Sequence, residues 1–249
     1  MRKGLVVVLG VIFLLVWGGA SAFAKGLEVG ASVQYGSLKI SDHDNYDRYG
    51  SRIPMGTVSA SYEVVPGVKL SAEYSLGGVT LDEPDDNDIT TYGYQNLKVS
   101  GAFRILENVD LLAGWSWFSS NYVDTWYSSD WEVKNTGSGF KVGFAASVPV
   151  TNSISASVRY AFLPYVYSET FTGYSEYPTT ASVDEEPTEN YVGIGHELEA
   201  KLNLSFRGGL AVQVGYRTEV YNGASDCCID YVHDRAGFSG LFAGVTYSF

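Results

Sequence analysis

Residues 210–221 read Leu-Ala-Val-Gln-Val-Gly-Tyr-Arg-Thr-Glu-Val-Tyr, and they alternate. Leu210, Val212, Val214, Tyr216 and Val220 share one face, while Ala211, Gln213, Gly215, Arg217 and Glu219 share the other. An extended chain points successive side chains to opposite sides, so this is the pattern of a β-strand with one apolar and one polar face. The preceding stretch repeats it, with Ile194, Leu198, Ala200, Leu202, Leu204 and Phe206 against Glu197, Glu199, Lys201, Asn203 and Ser205. Working outward, the same period fits ten segments, at 27–38, 54–65, 68–79, 91–105, 109–119, 139–150, 154–167, 191–206, 210–221 and 237–249. Abundant Tyr, Gly and Ser with scarce Met, Pro and Cys favours strands over helices as well.

The connections come in two sizes. Short turns sit at Pro66 and Gly67, at Glu107 and Asn108, at Thr151 and Asn152, and at Gly208. Between them lie five longer loops, at 41–52, 80–90, 120–137, 168–190 and 222–235. Short turns at one end and long loops at the other predict an all-β fold, a transmembrane antiparallel β-barrel of about ten strands with periplasmic turns and extracellular loops. A soluble sandwich would also alternate, so the lipid face decides. Across the ten segments that face carries no Asp, Glu, Lys or Arg, and its one ionisable residue, His196, is expected near the outer interface. It is edged by Tyr35, Tyr74, Trp117 and Phe140 above and by Tyr62, Phe103, Phe206 and Tyr247 below, as interfacial girdles require.

Two further features agree with export to an outer membrane. The chain opens with Met1, Arg2 and Lys3, then an apolar run from Leu5 to Trp17, then small residues. That order is a secretory signal peptide, expected to be cleaved after Ala24, or alternatively after Ala22, which divides the chain into a leader at 1–24 and a barrel at 25–249. The apolar run is too short for a membrane helix, which needs about 20 residues. At the other end Leu241, Ala243, Val245, Tyr247 and the terminal Phe249 resemble the C-terminal recognition strand of bacterial outer-membrane proteins. That resemblance implies reading by the barrel assembly machinery, with Tyr247 and Phe249 as its signal.

The inward face is expected to carry Glu28, Glu63, Glu73, Asp110, Glu197, Glu199 and Glu219 against Lys69, Lys98, Arg104, Lys141, Arg159, Lys201 and Arg217, a balanced lumen. Hairpin register places Glu63 opposite Lys69, Arg104 opposite Asp110, and Glu199 opposite Arg217. Eight strands leave room only for side chains and 16 to 18 leave a channel, so ten lie near the filled end. Paired long side chains would then block the bore. Gly30, Ser59, Ser71, Gly114, Gly143, Ser157 and Gly195, all inward and small, would instead leave room for water or a narrow path. An occluded lumen and a narrow channel both remain open.

Without Arg2 and Lys3 of the leader, 14 Lys and Arg stand against 28 Asp and Glu, and with the lumen balanced this excess of about −14 lies outside it, mostly in the loops, which makes nucleic acid an unsuitable partner. The second loop holds Asp82, Glu83, Asp85, Asp86 and Asp88, and the fourth Asp184, Glu185, Glu186 and Glu189. Such carboxylates suit divalent cations among lipopolysaccharide phosphates, or a calcium site, although nothing matches the twelve-residue calcium loop. Tyr122, Trp126, Tyr127 and Trp131 in the third loop, with Phe171, Tyr174 and Tyr177 in the fourth, suit either a ligand or strands that continue beyond the membrane. Cys227 and Cys228 are adjacent, closer than an unstrained disulfide permits. With His233, Asp230, Asp234 and His43 they make a soft-metal site conceivable.

Ten strands with acidic outer loops also resemble the omptin family of surface proteases, which activate water between an Asp pair and an Asp-His pair across the barrel mouth. The resemblance implies Asp85 and Asp88 as the first pair and Asp230 with His233 as the second. It covers strand number and loop acidity, not a motif, and the loop expected to face the second is the fourth, which has no histidine. No phosphate loop, nucleophile elbow or Cys-x-x-Cys pair is present, and no cofactor is implied. The expectation is a non-enzymatic structural or surface-interaction barrel, porin-like in form, embedded in outer-membrane lipid.

Overall fold

A computed structural model of the chain describes residues 26–41, 48–83, 88–126, 129–175, 182–185, 189–224 and 232–249. The strands are β1 (Leu27–Ser41), β2 (Arg48–Val65), β3 (Val68–Glu83), β4 (Asp88–Leu106), β5 (Val109–Trp126), β6 (Ser129–Pro149), β7 (Ile154–Ser175), β8 (Ser182–Glu185), β9 (Glu189–Ser205), β10 (Leu210–Ala224) and β11 (Val232–Ser248). Ten of them close a ring in which every neighbour is antiparallel and β1 pairs with β11, from Glu28 with Ser248 to Ile40 with Ala236. Closure leaves no unpaired edge, the condition for putting strands in lipid. The signal peptide assigned to residues 1–24 lies outside the described residues.

The ten segments read from the alternation all appear, but each extends beyond its expected bound at the long-loop end. β5 and β6 run to Trp126 and from Ser129, so most of the expected third loop is a hairpin. Tyr122, Trp126, Trp131, Phe171 and Tyr174 therefore sit on strands, while Tyr127 and Tyr177 lie outside the described residues. The fourth loop contains β8, which pairs with the end of β7 from Thr172 with Glu185 to Ser175 with Ser182. Alternation fades there because lipid no longer lies on one side. Backbone pairing needs no alternation and continues.

At the other end the turns are tight. Gly67 takes φ +82°, and Gly208 and Gly209 take +82° and +85°, a region that disfavours a side chain. Those turns fix the register as expected: Glu63 opposes Lys69, Arg104 opposes Asp110, and Glu199 opposes Arg217. The faces separate accordingly. Leu202 and its partner Val214 are 50% and 48% exposed, while Glu199 and Arg217 are 5% and 7% exposed. His196 lies on the outward face, its Nδ1 2.7 Å from the Tyr160 hydroxyl. Val192 and Ile194, on the same face between His196 and the long-loop end of β9, are also exposed.

A candidate functional site in the barrel lumen

Three layers fill the bore, and strand direction orders them. The lowest, at the short-turn end, is a vestibule of about 330 Å³ walled largely by Ser, Thr, Ala and Gly. Gly30, Ser59, Ser71 and Ser157 belong to it, so at those positions small inward residues do leave space. Its mouth carries the outlying charges. Lys69 reaches Glu28 at 3.4 Å, and Arg104 Nε reaches Asp110 at 3.2 Å. Glu63 faces Lys69 across the hairpin, yet its carboxylate accepts the Gly67 amide at 3.1 Å instead. These pairs are largely solvated and contribute little to stability.

Above the vestibule nine of the fourteen expected inward charges form one cluster: Glu73, Lys98, Lys141, Arg159, Glu197, Glu199, Lys201, Arg217 and Glu219. Arg217 grips Glu73 with two nitrogens, at 2.7 and 3.1 Å, and also donates to Glu199 Oε2 through Nε at 2.8 Å and through Nη2. Arg159 and Lys201 meet Glu199 at 3.3 Å each. Lys98 contacts Glu219 directly, Glu197 at 3.3 Å and Glu73 at 4.0 Å, and Lys141 holds Glu197 at 3.4 Å. Arg217 with Glu199, Arg159 with Glu199 and Glu73 with Lys98 join neighbouring strands, whereas Arg217 with Glu73 and Lys98 with Glu197 and Glu219 cross the bore. β4 and β10 are five strands apart in either direction, so Lys98 and Glu219 span the diameter. Buried charges persist when paired and hydrogen-bonded, and this cluster supplies both conditions.

Glu219 joins this layer to the next. Its carboxylate accepts from Tyr94 at 2.8 Å, from Asn96 at 2.7 Å and from Tyr221 at 3.4 Å. Over it Phe118 and Tyr221 stack with centroids 3.9 Å apart, and Tyr165 meets both edge-on. Leu38, Ile53, Met55, Leu163 and Phe238 complete a buried apolar plug. The expectation that charge pairs close the bore is thus half the answer. Gly195, expected to leave room for water, accommodates a ring instead: a Cβ there would lie 2.9 Å from Tyr221. The plug carried a signal in the sequence, since Phe162, Leu163, Tyr165 and Val166 are apolar on both faces of one strand.

The remaining expected sites divide by position. Tyr247 and Phe249 pack edge-on at 4.8 Å, and the Phe249 amide bonds the Leu27 carbonyl at 3.0 Å, so the last residue helps close the barrel on β1. Cys227, Cys228, Asp230, Asp85 and Asp86 lie outside the described residues. Asp82, Asp88 and His233 are placed as backbone positions on β3, β4 and β11. One expectation about them is corrected. Five loop connections ring the mouth, so the β10–β11 connection faces β3–β4 as directly as the β7–β9 connection does.

No protein-family model matches the chain, and no curated protein matches it in sequence. Solved structures match its fold. The translocator domain of autotransporter NalP from Neisseria meningitidis is 12% identical, with a TM-score of 0.55 over 100% of this chain and 97% of that one. The outer membrane protease OmpT from Escherichia coli is 9% identical, with a TM-score of 0.56 over 90% of this chain and 97% of that one. The fold is that of bacterial outer-membrane β-barrels.

Proposed function

We propose that the chain works in the bacterial outer membrane as a closed-bore, non-enzymatic barrel, whose role is structural or surface interaction at its long-loop end. The observation that carries this is the double obstruction of the lumen: cross-bore ion pairs beneath an aromatic plug. Fold, exposed apolar band and leader support the location, with turns in the periplasm and loops outside. The partners follow from the same reading: lipid along the band, lipopolysaccharide at the acidic loops, and the barrel assembly machinery at Tyr247 and Phe249.

The test is conductance of the refolded chain in a planar bilayer. The expected trace is silent. A narrow channel is the second reading, favoured by the vestibule, and stable unitary steps from the unmodified protein would establish it in place of the closed bore.

A further inference from the structure

We propose that the vestibule is a binding site for a small oxyanion, a phosphate- or carboxylate-bearing solute, held by Arg159, Lys201 and Ser157. The inference begins with charge. The buried cluster above the vestibule contains five cations and four carboxylates, so one positive charge has no counterpart within it. At the mouth Lys69 with Glu28 and Arg104 with Asp110 are each balanced, and the carboxylate left over, Glu63, is bound to the Gly67 amide in the β2–β3 turn and not to the cluster, so the surplus is not neutralised where it lies. A surplus charge in a confined space draws a counter-ion.

Access decides where. Side chains of Lys98, Lys141 and Arg217 are 2–8% exposed, whereas those of Arg159 and Lys201 are each 27% exposed, and both line the vestibule. Arg159 meets carboxylates through Nη2 at 3.3 and 3.9 Å, which leaves other guanidinium donors for a ligand. Ser157 is two residues from Arg159 on the same face of β7, and its register partner on β9 is Lys201. Ser157 lines the vestibule, and its hydroxyl is buried with no hydrogen-bond partner among the described residues. A guanidinium, an ammonium and an unsatisfied hydroxyl therefore occupy adjoining positions on two paired strands. Charge-assisted bonds from such donors are the usual means of holding an oxyanion. About 330 Å³ lies at the lower end of ligand-pocket volumes, room for a metabolite-sized solute.

The site belongs to the lumen itself; its opening toward the periplasm rests on the orientation proposed above. The experiment uses the full chain refolded in nonionic micelles, with inorganic phosphate as probe at constant ionic strength, followed by calorimetry and phosphorus NMR. Saturable binding is expected, weakened roughly tenfold by Lys201→Gln and by Arg159→Gln, the loss of one charged hydrogen bond, and less by Ser157→Ala. Arg104→Gln, at the mouth, should leave it unchanged, and heat-modifiable gel mobility verifies that each variant is folded. The proposal is overturned if phosphate binding does not exceed the chloride control, or if Arg104→Gln weakens it as much as Lys201→Gln does. In nanodiscs containing phosphatidylglycerol, undiminished binding supports a soluble ligand. Competition there supports the same site with a lipid headgroup as the oxyanion's source.

Discussion

Replacing Arg217 by alanine separates the two obstructions of the bore. At an effective dielectric near 20, an opposite charge about 4 Å away contributes ~4 kcal/mol before desolvation. Arg217 has two such partners, Glu73 and Glu199, but Lys98, Arg159 and Lys201 in the same cluster repel it. Removing one member of a buried pair costs ~3–5 kcal/mol. We expect the lower end, about 3 kcal/mol, because Glu199 keeps Arg159 and Lys201 at 3.3 Å. Glu73 is left with Arg159 at 3.9 Å and Lys98 at 4.0 Å, so it is the more poorly compensated carboxylate. Double-mutant cycles should accordingly give a larger coupling of Arg217 to Glu73, about 2 kcal/mol, than to Glu199, about 1 kcal/mol. Reversible urea unfolding in detergent supplies the energies, and the same variants are placed in planar bilayers. Conductance should stay near zero, since the plug of Phe118, Tyr165 and Tyr221 remains above the vacancy. Channel opening in Arg217→Ala alone would refute the layered closure, and couplings below about 0.5 kcal/mol to both carboxylates would refute the network.

Three further outcomes follow from the faces and layers. Leu202→Arg and Val214→Arg, exposed register partners on the outward face, should each cost ~2–4 kcal/mol in lipid, while Asn203→Arg and Gln213→Arg should cost less, as read by folding equilibria in bilayers. Gly195→Ala should lower stability by ~1–3 kcal/mol, since its Cβ would overlap Tyr221; unchanged urea midpoints would show that the ring has room. Incubated with unstructured peptides in the presence of lipopolysaccharide, the unmodified protein should cleave none, and cleavage lost on Asp85→Asn or His233→Ala would instead establish protease chemistry.

The period-two alternation was sufficient for the ten strands of the ring, though not for β8, and for register wherever a tight turn joined the strands. A one-residue slip would have sent Arg217 and Glu219 into the apolar band, so the chain has one acceptable pairing there. The outward surface was legible for the same reason: its environment is uniform, and across the ten segments it carries no Asp, Glu, Lys or Arg. Where lipid ends the rule ends, and so the continuation of β5, β6 and β7 past the expected bounds went unread. Neighbour pairs such as Arg104 with Asp110 followed from register alone.

Closure of the ring decided what the sequence by itself could not. The charges on β3, β4, β9 and β10 are far apart in the chain, and nothing local states that Lys98 reaches Glu219 across the diameter or that Arg217 reaches Glu73 across the bore with two nitrogens. Composition determined an acidic, strand-rich chain with a balanced inward face. Only the folded ring turned that balance into a buried cluster with one surplus cation, set Arg159 and Lys201 at its accessible edge, and stacked Phe118 on Tyr221 over the top. The physical reason is distance. Alternation reports the face on which a side chain lies, a property of its own strand, whereas a partner across the bore depends on strand number, stagger and diameter, properties of the ring as a whole.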